Sequence, residues 1–115
     1  MSVCPARVKV RNIELATRES GTGARPATGP LFLWAHGLLG SIAQEDSVPI
    51  FDWTPLDAHA RLVRYDARSH GDSDLDLDPA QLRWPELARD MLGLAAALGA
   101  QRALLGGVSL GSATA

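Results

Sequence analysis

The stretch Ala103-Leu104-Leu105-Gly106-Gly107-Val108-Ser109-Leu110-Gly111-Ser112 decides the fold. It reads as a short apolar strand that runs into a sharp turn and then opens a helix. Gly107-x-Ser109-x-Gly111 is the pattern of a nucleophile elbow. A serine at the tip of such a turn is held in a strained backbone conformation with its hydroxyl pushed outward. The residues two before and two after it crowd neighbouring backbone and are therefore expected to lack a Cβ. The new helix aims its first N–H groups at any charge that forms beside the serine. With Gly and Ser each near 7% of residues, G-x-S-x-G arises by chance in roughly 4% of chains of this length, so the setting has to decide. Here an apolar strand precedes the motif, and small residues (Ser112, Ala113, Thr114, Ala115) follow it.

Working back from the elbow, Trp84-Pro85-Glu86 opens the clearest helix, with Pro85 at its first position and Glu86 in its first turn. Leu87, Met91, Leu94 and Leu98 make one apolar stripe, and Gly99 is its stop. Leu62-Val63-Arg64-Tyr65 reads as a strand that ends in a polar loop, Asp66 to Ser73. Leu31-Phe32-Leu33-Trp34-Ala35 is a continuous apolar run between Pro30 and His36-Gly37, which suits a central strand buried on both faces. His36-Gly37-Leu38-Leu39-Gly40-Ser41 follows at its C-terminal end, where open α/β sheets bind ligands. Val8-Lys9-Val10 and Ile13 to Thr17 alternate apolar and polar residues as half-exposed strands, with Arg11-Asn12 as a hairpin turn. Ser20 to Pro30 reads as a flexible loop, and Leu56 to Ala60 as a short helix. Alternating strands and helices predict an α/β fold with a mostly parallel sheet and an antiparallel N-terminal hairpin.

At 115 residues the chain is one domain at most, and its 46% hydrophobic and 21% charged residues are ordinary for a globular protein. A net charge of −2 provides no basic field for nucleic acid. Cys4 is the only cysteine, so no internal disulfide or multi-cysteine metal site can form. No apolar leader or uncharged run of membrane-spanning length is present, which predicts a cytoplasmic protein with no membrane partner. Gly106-x4-Gly111-Ser112 has the glycine spacing of a phosphate loop but lacks the lysine that grips phosphate, and no G-x-G-x-x-G occurs. Asp72, Asp74, Asp76 and Asp78 alternate like a calcium loop, yet Leu77 and Arg83 fall where Gly and Glu are required. That run reads as a solvated acidic connection. His36, His59 and His70 lack paired ligand spacing, so His36 and His70 are expected to shape loops, and neither metal nor cofactor is expected.

Three segments, in order, resemble the N-terminal half of an α/β-hydrolase. They are the strand and loop from Leu31 to Ser41, the Arg64-Tyr65-Asp66-Ala67-Arg68-Ser69-His70-Gly71-Asp72-Ser73 stretch, and the elbow Gly106 to Ser112. The nearest flavour is the group that includes 3-oxoadipate enol-lactone hydrolases, cofactor-free haloperoxidases and small esterases. The resemblance implies that Ser109 is the nucleophile and that the backbone N–H groups of Leu38 and Leu110 form the oxyanion hole. His36, Gly37, Gly107 and Gly111 then shape the loops around it. It further implies an acyl-enzyme route for a small-molecule ester, lactone or similar carbonyl substrate. Ser69 stands where the family usually has Gly. The family's order is serine, acid, histidine, and six residues follow Ser109. The expectation is therefore a partial domain over residues 1–115, an N-terminal fragment inactive alone, whose acid and histidine lie beyond residue 115. The competing expectations are a non-catalytic ligand- or partner-binding protein on the same scaffold, or a non-functional truncated product.

Overall fold

A computed structural model describes residues 2–21, 30–57 and 59–115. Most of the expected flexible loop, residues 22–29, lies outside the described residues. Five strands, β1 (Ser2–Val10), β2 (Ile13–Gly21), β3 (Leu31–Ala35), β4 (Arg61–Tyr65) and β5 (Ala103–Gly107), form one sheet in the order β1-β2-β4-β3-β5. β1, β2 and β4 pair antiparallel, whereas β3 lies parallel to both β4 and β5. The sheet is thus mixed, with the hairpin at one side and β3 between its two parallel neighbours.

The hairpin is longer than its alternation predicts. The apolar–polar pattern marks only Val8–Val10 and Ile13–Thr17, but the ladder runs from Val10↔Ile13 out to Ser2↔Gly21. β2 continues past Thr17 because that half also pairs with β4, from Thr17↔Tyr65 to Ser20↔Leu62. The partner strand, not the segment's own pattern, sets its length.

Two layers of helix cover the sheet. On one face, α3 (Trp84–Ala97) lays Leu87, Met91, Leu94 and Ala95 over Leu31, Leu33, Ala35, Val63 and Tyr65, with Val10, Ile13 and Leu15 completing the core. Pro85 sits in the first turn of α3, and Gly99, at φ +74, follows its end. On the other face, Trp34 from β3 meets Phe51 and Trp53 edge-on, with ring centroids 4.9 and 5.0 Å away. Trp34 Nε1 donates to Glu45 of α1 (Ile42–Ser47) at 2.8 Å. α1 has no counterpart in the sequence reading. α2 (Thr54–Asp57) lies ahead of the expected Leu56–Ala60 helix, because Asp52 Oδ1 accepts the Thr54 N–H at 3.0 Å and starts the turn earlier. A single 3₁₀ turn, η1 (Pro79–Leu82), leads into α3, and α4 (Leu110–Thr114) follows β5. Among the described residues, no helix is long and apolar enough to cross a membrane.

Candidate active site

Parallel pairing of β5 to β3 brings Gly107 level with Ala35, so the elbow and the loop after β3 leave the sheet side by side. Val108 N–H donates to the Ala35 carbonyl at 3.2 Å, which ties the turn to the end of β3. Ser109 then takes φ 56 and ψ −114, is exposed, and makes no side-chain cap with the helix it precedes. Its carbonyl accepts the Ala113 N–H at 3.1 Å, the first bond of α4. The serine hydroxyl is therefore presented outward from a backbone that L-residues seldom adopt.

The two motif glycines are required by space rather than by φ. A Cβ at Gly107 would lie 2.3 Å from the Gly111 carbonyl carbon, and one at Gly111 would lie 2.0 Å from the Ala35 oxygen. Both distances are far inside contact, and both obstacles are backbone. The close approach of α4 to the ends of β3 and β5 is what the pattern Gly-x-Ser-x-Gly specifies. At Gly37 there is room: a Cβ would sit 3.6 Å from Ser109 Cβ, an ordinary contact, which also places this loop beside the serine.

Gly37 to Gly40 form a tight turn closed by Gly40 N–H to Gly37 O at 2.9 Å, with Leu39 left-handed at φ 61. The Leu38 and Leu39 side chains stand exposed. Among the described residues, the Leu38 N–H and the Leu110 N–H, one in each loop, are both without a hydrogen-bond partner.

His36 is buried beneath this turn and uses both ring nitrogens. Nδ1 lies 2.7 Å from the Gly37 carbonyl, and Nε2 lies 2.9 Å from the Ala67 N–H. An amide can only donate to Nε2, so the network assigns the proton to Nδ1 and a neutral ring. Burial pushes the His36 pKa below its ordinary value, opposed by the bond to Gly37 and reinforced by the neighbouring His70 ring 5.0 Å away. His70 Nδ1 meets the Arg68 carbonyl at 2.9 Å, whereas its buried Nε2 has no partner.

The polar loop after β4 backs the site. Arg68 is fully buried and forms a two-pronged pair with Asp90 of α3, Nε to Oδ2 and Nη2 to Oδ1 at 2.8 Å each, and reaches Asp76 at 2.9 Å. The hydrogen bond to Asp90 outweighs desolvation and raises the Arg68 pKa further. Ser69 adopts φ 65, a backbone conformation that favours glycine, and its hydroxyl accepts the Asp76 N–H at 2.7 Å. Asp72 and Asp78 are exposed, as expected of a solvated connection, but the run is also engaged: Asp74 receives the Glu14 N–H and pairs with Arg7, and Asp76 holds Arg68. Asp90 escaped the sequence reading. The available signal was a carboxylate lying between Leu87 and Leu94 on the apolar stripe of a helix. Among the described residues, no group of three or more His, Cys, Asp or Glu is arranged to hold a metal ion.

No protein-family model and no curated protein matches the chain. Solved structures do. The chain is similar to E-2-(acetamidomethylene)succinate hydrolase, with a TM-score of 0.77 and 28% identity over 98% of this chain and 38% of that one. It is similar to the enol-lactonase of Burkholderia xenovorans LB400, with a TM-score of 0.80 and 28% identity over 95% of this chain and 39% of that one. An epoxide hydrolase of Vigna radiata matches at a TM-score of 0.79 over 97% of this chain and 33% of that one; its 21% identity speaks for the fold alone. The chain spans between about a third and two fifths of the length of these structures.

Proposed function

From the α/β-hydrolase fold of this chain, and its likeness to hydrolases over part of their length, we propose that it carries the nucleophile and oxyanion hole of a serine hydrolase. The substrate class is a small ester, lactone or similar carbonyl compound. The observation that supports this most is the exposed Ser109 at φ 56, flanked by glycines that no larger residue can replace.

In the proposed reaction, Ser109 Oγ bonds to the carbonyl carbon while a base takes its proton. The carbonyl oxygen becomes negative and accepts hydrogen bonds from the Leu38 and Leu110 N–H groups. Fixed donors of this kind contribute roughly 3–4 kcal/mol each to transition-state stabilisation, because they need no reorientation as charge develops. The bond to the leaving group then breaks, and the leaving group takes the proton from the base. Water, activated by the same base, hydrolyses the acyl-enzyme. Of the residues here, His36 spends both nitrogens on backbone partners and His70 spends Nδ1 on the Arg68 carbonyl. His59 precedes β4, at the end of the parallel strands opposite the elbow, so the histidine base and the acid that orients it are drawn from outside these 115 residues.

The test uses the full natural chain that contains these residues. A fluorophosphonate is expected to label Ser109, and Ser109→Ala to lower kcat for a short-chain nitrophenyl ester by more than about 10³-fold. Labelling or turnover that survives in the alanine variant would sink the assignment.

A further inference from the structure

The loop 37–41 has exposed leucines, yet both of its ends are held by buried groups from the segment after β4. At its entry, His36 accepts the Ala67 N–H. At its exit, Asp66 Oδ1 accepts the N–H of Ile42, the first residue of α1, at 2.7 Å. Asp66 is only 3% exposed and is itself fixed from several sides. Its Oδ2 accepts the Asp72 N–H at 2.9 Å, its own N–H donates to Ala16 O at 2.9 Å, and its carbonyl accepts the Ser73 hydroxyl. Gly71 makes room for it. That residue is left-handed at φ +50, and a Cβ there would fall 2.2 Å from Asp66 Oδ2.

A buried carboxylate is costly to desolvate, and among the described residues Asp66 has no ion-pair partner. What it has is two backbone donors, one on each oxygen. An amide side chain would offer one acceptor and one donor, so it could serve only one of the two N–H groups. Aspartate is the side chain that supplies both acceptors, and one of them fixes the outgoing end of the loop that carries the Leu38 donor.

We propose that Asp66 is a positioning residue: through Ile42 it holds the loop 37–41 so that the Leu38 N–H stays aimed beside Ser109. Its catalytic consequence rests on the serine hydrolase reading above. Its structural core does not, since the clamp on Ile42 can be read directly.

The full natural chain is compared with its Asp66→Asn, Asp66→Ala and Gly71→Ala variants, the last displacing the same carboxylate from the opposite side. Amide hydrogen exchange at Ile42 and Leu38 is measured beside kcat and KM for a nitrophenyl ester. Exchange at Ile42 is expected to rise at least about tenfold in Asp66→Ala. The kcat is expected to fall by about 10- to 100-fold with KM within about threefold, the pattern of misplaced catalytic geometry. Across the variants the loss of kcat should follow the Ile42 exchange rate, and Asp66→Asn should lie between the parent and Asp66→Ala. If Asp66→Ala does not fold, the same correlation is read from Asp66→Asn and Gly71→Ala. Unchanged Ile42 exchange in the folded variants, or a kcat that does not follow it, overturns the proposal. If the parent shows no Ser109-dependent turnover, the hydrolase reading fails, and the exchange data alone decide whether Asp66 holds the loop.

Discussion

Arg11, Leu39, Ser69 and Ser109 are the described non-glycine residues with left-handed φ, at 56, 61, 65 and 56°. Each such residue costs on the order of 1–3 kcal/mol and persists only where its surroundings insist on it. Arg11 is anchored by its guanidinium on Glu86 and Asp90, Ser69 by its hydroxyl on Asp76, and Leu39 by the turn that Gly40 closes. Leu39 and Ser109 lie on the two loops that meet at the site, and Ser69 lies in the loop behind them. His36, the buried ring that joins the first loop to the third, adds a pH dependence to this arrangement. Its folded pKa is lowered, so the native state resists protonation that the unfolded chain accepts near pH 6.5. Below that pH the unfolded state binds more protons, and stability must fall as the pH falls. Protonation would also set an N–H at Nε2 against the Ala67 N–H. Urea midpoints of the full chain are expected to decline from pH 7 to pH 5, and His36→Gln to flatten that decline. A slope that the substitution leaves intact would assign the dependence to other groups.

Elements whose own residues carry the signal were legible in the sequence. β3 and β5 match their apolar runs residue for residue, β4 differs by one residue at its start, and α3 has its stripe, its early proline and its terminal glycine. α1 was not legible, because Ile42 is its one buried residue and no stripe forms. It is defined by the Ser41 hydroxyl on the Gln44 N–H and by Asp66, which is 24 residues away. The elbow's glycines and serine could be read from spacing. The Arg68–Asp90 pair behind the site could not, since only the packing of the β4 loop against α3 brings the two together. That pair carries a prediction for α3. Taking away Asp90 leaves Arg68 buried with Asp76 as its remaining carboxylate, so the loss falls below the about 3–5 kcal/mol of a wholly uncompensated buried charge, whereas an apolar replacement of both members is milder still. Asp90→Ala in the full chain is therefore expected to lower unfolding free energy by about 3 kcal/mol or less. The double variant Arg68→Met with Asp90→Leu should recover a large part of the loss. Equal losses in the single and double variants would show that the pair is not acting as a unit.

On the scale of the whole sheet, the two edges differ in kind. At one, the long hairpin strand β1 carries Arg7 and Lys9 among its polar residues, charges of the sort that blunt an edge. At the other, β5 pairs only with β3 among the described strands, and Ala103 and Leu104 are exposed, Leu104 at 60%. An open row of N–H and C=O groups beside apolar side chains is a template for pairing with another strand. The helix after β5 does little to cover it, since α4 has five residues, far below the roughly 12–15 at which a helix is even marginally stable by itself. Expressed as these 115 residues alone, the chain is therefore expected to self-associate. It is also expected to lack Ser109-dependent ester hydrolysis, because an unassisted serine hydroxyl is a weak nucleophile at neutral pH. Leu104→Lys, which sets a charge on the open edge, should raise the monomer fraction without restoring activity. Light scattering, urea unfolding and nitrophenyl ester turnover check the three parts. A monomer with a cooperative transition would show that the β5 edge is harmless, an unchanged oligomer in Leu104→Lys would place the association elsewhere, and turnover lost in Ser109→Ala would mean that a base is present within these residues after all.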